Sequence, residues 1–97
     1  MDLGLKGKTV IVTGGGSNIG RAISLTFAGE GCNVVIADIM EEAAQKVADL
    51  ANSKNADGKT IVVKTDVTSP DSVQNMVDTA IKEFGEVHVL VNNVGWT

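Results

Sequence analysis

The sequence predicts an α/β fold, a parallel sheet of order 3-2-1-4 with helices on both faces. Three observations predict it. Strand-like and helix-like patterns alternate as β-α-β-α-β-α-β along 97 residues, and such alternation builds parallel sheets through right-handed crossovers. The strand-like runs are mostly apolar and β-branched, as in strands covered on both faces. A glycine-rich stretch, Thr13-Gly14-Gly15-Gly16-Ser17-Asn18-Ile19-Gly20, joins the first strand to the first helix.

The elements follow in order. Residues 8–13 (KTVIVT) form a buried first strand. A helix runs from about Asn18 to Glu30 with Ile19, Ala22, Ile23 and Phe27 on one stripe, and Gly31 ends it. Residues 33–38 (NVVIAD) are the second strand. Glu41 to about Asn52 is the second helix. Its acids Glu41 and Glu42 sit in the first turn, where the dipole favours them, and Ala44, Val47, Ala48 and Ala51 form its buried face. Residues 52–58 read as a polar loop, and residues 60–65 (TIVVKT) as the third strand. Ser69 caps the third helix with Pro70 at its first position. Val73, Met76, Val77, Ala80, Ile81 and Phe84 recur along it at three- and four-residue steps, until Gly85 stops it. Residues 87–92 (VHVLVN) are the fourth strand. The first two helices should cover one sheet face and the third the other. The ligand crevice should then open between strands 1 and 4, beyond their carboxyl ends.

Four polar features fall on that edge: the glycine turn, Asp38, Asp66 and Asn92. A glycine turn between strand and helix lets backbone approach a pyrophosphate and aims helix N–H groups at it. Asp38 ends the second strand at close to the spacing of a ribose-binding acid. Taken singly, Asp38 is also readable as a loop acid, Asp66 as a solvated carboxylate, and Asn92 and Asn93 as caps for strand-end backbone.

Composition narrows the class further. Formal net charge is −4 and no Lys/Arg run occurs, which argues against nucleic acid or an anionic membrane as partner. Cys32 is the single cysteine, so no internal disulfide forms, in keeping with a reducing, cytoplasmic location. No signal peptide or run of transmembrane length is expected, and no metal-ligand cluster is read. His88 and Cys32 read as structural residues. Trp96 is either a pocket residue or an apolar residue packing on segments outside the chain.

With these residues in view, the chain resembles the short-chain dehydrogenase/reductase family. Thr13-Gly14-x-x-x-Asn18-Ile19-Gly20 resembles its Thr-Gly-x-x-x-Gly-x-Gly turn, Asp66-Val67-Thr68 its Asp-Val-Thr, and Asn92-Asn93-Val94-Gly95 its Asn-Asn-Ala-Gly. The resemblance implies a Rossmann-like three-layer sandwich, here the truncated half of a doubly wound fold. It implies that residues 1–97 are one partial NAD(P)-binding domain. It implies roles residue by residue. Gly14 gives the tight turn, and the backbone near Ser17, Asn18 and Ile19 faces the pyrophosphate. Gly20 lets helix and sheet pack closely. Asp38 holds the adenosine ribose hydroxyls. Asp66 accepts from the adenine amino group beside the Val67 backbone. Asn92 and Gly95 line the path to the nicotinamide ribose.

The chain departs from the family pattern at three positions. Asn18 replaces a glycine, and Asn is expected to serve because it tolerates positive φ. Val94 replaces alanine, and His88 stands where the family often has aspartate. Ser17 and Ile39 occupy the two places for a base that would hold a 2′-phosphate, and neither is basic. The expected cofactor is therefore NAD rather than NADP.

The family's chemistry implies a Tyr with a Lys four residues on, plus a Ser and an Asn. This chain has no tyrosine, so no catalytic residue is assigned to it. The leading expectation is the cofactor-binding part of an NAD-dependent oxidoreductase. Its full-length parent would interconvert a small secondary alcohol and a ketone, as a homo-oligomer. The alternative is a stand-alone, non-catalytic nucleotide-binding module. A methyltransferase-type fold fits the Thr-Gly-x-x-x and Asn-Asn-Val-Gly stretches poorly. The last strand ends the sequence with no element after it, so it should form an apolar edge prone to self-association.

Overall fold

A computed structural model gives the structure and describes residues 4–14, 16–55 and 57–93. The elements are β1 (Thr9–Thr13), α1 (Asn18–Gly29), β2 (Asn33–Asp38), α2 (Glu41–Lys54), β3 (Thr60–Lys64), α3 (Pro70–Phe84) and β4 (Val89–Asn92). They build one four-stranded sheet of order β3-β2-β1-β4. Every pairing is parallel, with Thr13 level with Ala37 on one side and Asn92 on the other. The predicted Rossmann-like α/β architecture is the one observed.

The strand pleat divides the core in two. Val10, Val12, Val34 and Ile36 point to one face, against Ala28, Ala44, Val47, Ala48 and Ala51 of α1 and α2. Ile11, Val35, Ala37 and Val63 point to the other, against Met76 and Ala80 of α3. Period-two alternation within each apolar run thus feeds both layers. Helix ends follow their local chemistry. Ser69 Oγ accepts from Ser72 N–H, Pro70 opens α3, and Gly31 and Gly85 take positive φ where α1 and α3 stop.

Three sequence expectations need correction. Of the stripe expected on α1, Ile23 and Phe27 do pack against the core, but Ile19 is 67% exposed and Ala22 also lies outside, and the fully buried positions are Gly20, Ser24 and Ala28. Small residues at four-residue spacing let the helix axis come close to the core, with Ile23, Leu25 and Phe27 packing alongside them. Second, α2 continues through Ser53 and Lys54, residues expected in a loop. Asn52 anchors that last turn by donating to Thr60 O at 2.9 Å and accepting from Thr60 N–H at 2.9 Å, a tertiary contact that polar composition does not reveal. Third, β4 starts at Val89 rather than Val87. His88 instead makes a corner: its N–H donates to Thr9 O, and its Nδ1 accepts from Thr9 N–H at 3.0 Å.

At that corner His88 serves as a side-chain acceptor for the Thr9 N–H. His88 Nε2 lies 2.9 Å from Glu86, which fixes the ring's tautomer with the proton on Nε2. Cys32 is fully buried, and its thiol donates to Leu5 O at 3.4 Å. Burial, with Glu30 nearby, pushes that thiol up from its ordinary value, which keeps it unreactive.

Candidate functional site

The carboxyl ends of the four strands place the polar residues in one row. Asp66 follows β3, Asp38 ends β2, the glycine turn follows β1, and Asn92 ends β4. Neighbouring strands lie about 4.8 Å apart, so the row spans about 14 Å along one rim.

The glycine turn is shaped by its own backbone. Gly14 has φ +67°, a left-handed conformation that favours glycine, and its N–H donates to Ala37 O at 2.8 Å. Ser17 is the N-cap of α1. Its Oγ accepts from Gly20 N–H at 3.2 Å and its hydroxyl donates to Gly14 O at 2.8 Å. The cap takes the Gly20 amide, which leaves the first-turn amides of Asn18 and Ile19 ahead of any intrahelical acceptor. Asn18 is the first helical residue and no non-glycine residue described has positive φ. Its replacement of a glycine therefore costs nothing conformationally, a simpler reason than tolerance of the left-handed region.

Asp38 is only 8% exposed. Its Oδ2 accepts from Gly16 N–H at 3.0 Å and its Oδ1 from Met40 N–H at 2.9 Å. Asp38 and the glycine turn are thus in direct contact at one end of the molecule. Asp66 is exposed; its Oδ1 accepts from Thr68 Oγ1 at 2.6 Å and from Thr68 N–H at 2.9 Å. Those two bonds, the side-chain one foremost, hold its carboxyl below the ordinary value. The Asp66 N–H donates to Ser72 Oγ, which ties the loop to α3. Val67 stands exposed beside it.

Three further residues take part: Thr13, which had no site role of its own in the sequence reading, Asn93, expected either to cap strand-end backbone or to meet a ligand, and Gly16 of the glycine turn. Thr13 Oγ1 is a hub, 3.0 Å from Asn92 Oδ1 and accepting from Asn93 N–H at 2.9 Å. Asn93 Nδ2 reaches Ser17 Oγ at 3.1 Å and Gly14 O at 3.3 Å. Asn93 therefore clamps the end of β4 to the glycine turn, and Asn92 spends one side-chain oxygen on Thr13. Gly16 is the third addition. A Cβ there would meet Ala44 N at 2.9 Å and Asp38 Oδ2 at 3.0 Å, so α2 packs against bare backbone. A threonine ending an otherwise apolar strand was the readable signal for Thr13; nothing local signals the Gly16–Ala44 contact. Gly95, Val94 and Trp96 lie outside the described residues.

A three-layer Rossmann-like sheet with its polar residues along the carboxyl edge defines the class. The model of the short chain dehydrogenase family matches residues 8–97, and the chain belongs to that family. It is 46% identical over 89 residues to an uncharacterized oxidoreductase of Thermotoga maritima, covering 92% of this chain and 34% of that protein. It is 39% identical over 94 residues to the 7alpha-hydroxysteroid dehydrogenase of Escherichia coli K12, covering 97% and 36%. A solved structure of a 7 alpha-hydroxysteroid dehydrogenase complexed with NADH and 7-oxo glycochenodeoxycholic acid superposes with TM-score 0.89 at 39% identity, covering 95% of this chain and 35% of that one. The chain spans about a third of the length of these relatives.

Proposed function

We propose that this chain is the cofactor-binding part of an NAD-dependent oxidoreductase whose whole protein interconverts a secondary alcohol and a ketone. The observation that carries the reading is the contact of Asp38 with the glycine turn at the carboxyl edge. A carboxylate beside the turn that opens α1 supports a ribose-reading role for Asp38 and a diphosphate role for the first-turn amides. The amides of Asn18 and Ile19 receive the diphosphate at the positive end of α1. Asp38 accepts the adenosine ribose hydroxyls, and Asp66 with the Val67 backbone meets the adenine. Asn92 and Gly95 border the nicotinamide ribose, while Thr13 and Asn93 hold β4 and the turn at fixed separation. When bound, the nicotinamide supplies the hydride acceptor or donor.

The relatives support the oxidoreductase class, and the NADH named in the hydroxysteroid dehydrogenase structure supports the cofactor type. With no tyrosine in its sequence, the chain alone binds without turnover, and the parent supplies the proton-transferring residues. The same reading makes the parent a cytoplasmic homo-oligomer acting on a small molecule. Among the described residues no helix is long and apolar enough to cross a membrane.

Charge sets the choice between dinucleotides. Asp38 repels a 2′-phosphate, and Ser17 and Ile39 offer it no cation. Calorimetric titration should therefore show NAD binding at least tenfold tighter than NADP, the effect of about 1.4 kcal/mol. Equal or tighter NADP binding overturns the NAD assignment.

A further inference from the structure

Asp38 is a nearly buried carboxylate with no ion pair to a cation among the described residues. A buried charge needs hydrogen bonds to stay, and its donors come from two separate elements. Gly16 N–H belongs to the glycine turn, and Met40 N–H belongs to the mouth of α2. Met40 is the N-cap of α2, and its own side chain caps nothing. Gly16 in turn lies so close to α2 that a Cβ would touch Ala44 N and Asp38 Oδ2 together. The turn, the carboxylate and the start of α2 form one packed unit.

We infer that Asp38 is a positioning residue for the diphosphate-facing turn in addition to being the ribose acceptor. Its carboxylate staples Gly16 to the start of α2 and so fixes the turn. The inference rests on the proposal that this turn receives a dinucleotide. Each carboxylate oxygen has a second lone pair, so the staple and a ribose contact coexist. Asparagine offers one acceptor oxygen to two N–H donors, so Asp38→Asn releases Gly16 or Met40. Neutralising Asp38 therefore removes the repulsion of a 2′-phosphate and at the same time loosens a turn that both dinucleotides use. Exchange at this position alone gives a weak binder of both cofactors rather than a clean switch.

ADP and 2′,3′-dideoxy-ADP separate the two roles, because the analogue has no ribose hydroxyl for Asp38 to hold. Calorimetry on wild type, Asp38→Asn, Gly16→Ala and the double variant is run where thermal melts show each fully folded. Amide exchange of Gly16 and Met40 is measured alongside. Asp38→Asn should weaken the dideoxy analogue about fivefold, the loss of one hydrogen bond. Gly16→Ala, which leaves the carboxylate in place, should weaken it similarly. The double variant should lose less than the product of the two, as coupled residues do.

Unchanged affinity of the analogue in Asp38→Asn, with Gly16 and Met40 still protected, overturns the staple and leaves Asp38 a ribose contact only. Failure of wild type to bind either nucleotide overturns the dinucleotide reading. In that event exchange still judges the staple, which falls if both amides stay protected in Asp38→Asn. Should Asp38→Asn not fold, Gly16→Ala decides, and undiminished analogue binding there overturns the inference.

Discussion

At the scale of single residues, the site consists of short side chains committed to backbone. Ser17 caps α1, Asp38 holds two amides, and Asp66 is turned onto Thr68. Asp66 gives a titration that reads this geometry directly. Its carboxylate gains two donors from Thr68, so its folded value lies below its unfolded value. The resulting stabilisation is in place above the unfolded value and is lost as pH falls through the folded one. Carbon-detected NMR titration should find the Asp66 midpoint depressed, and Thr68→Val should move it upward by removing the side-chain donor. A midpoint that Thr68→Val leaves in place would show that the side-chain bond does not set it. Ser24 stands apart from this economy. Its hydroxyl is buried against the sheet with no hydrogen-bond partner among the described residues, which follows from choosing a small residue for close approach.

At the scale of elements, the junction of β1 and β4 depends on one imidazole. Thr9 is buried, and its N–H has His88 Nδ1 as acceptor. His88→Leu strands that donor and should lower stability by about 1–3 kcal/mol in denaturant melts. His88→Asp restores an acceptor and should cost clearly less. Equal losses for the two would mean that ring packing, rather than the acceptor, matters there. This pair also marks how far the sequence could be read. The seven elements were legible because each apolar run keeps one period and is closed by glycine, proline or a cap. The strand order and the residues on the carboxyl edge followed from that alternation. The contact face of α1 was legible only in part: Ile23 and Phe27 pack as expected, but Gly20, Ser24 and Ala28 carry little hydrophobic signal. The last turn of α2 escaped because Asn52 is held by β3, eight residues away. The candidate site divides likewise. Asp38 and the turn were readable from spacing, whereas the Asn93 clamp and the Gly16 contact arise only when β4 and α2 come together.

At the scale of the molecule, the two faces of the sheet are unequally covered. Among the described residues, two helices close one face, while α3 alone serves the other. Beside it Ile11, Val73, Met76, Ile81, Val87 and Leu90 line an open groove of about 430 Å³, and Leu90 is 62% exposed. Among the described residues β4 is paired on one side only. An apolar edge of this kind recruits other chains. Sedimentation of the 97-residue chain should therefore show association that rises with concentration and weakens in Leu90→Lys. A monomer at every concentration would show that the edge is self-sufficient.

The central claim is that an adenine dinucleotide lies along the carboxyl rim, its diphosphate at the start of α1 and its adenosine ribose at Asp38. Titrating the ¹⁵N-labelled chain with NAD tests it most directly. Saturable shifts should concentrate in the amides of Gly16, Ser17, Asn18 and Ile19 together with Ile39 and Met40. Shifts that leave those amides still and gather instead on the open α3–β4 groove would contradict it.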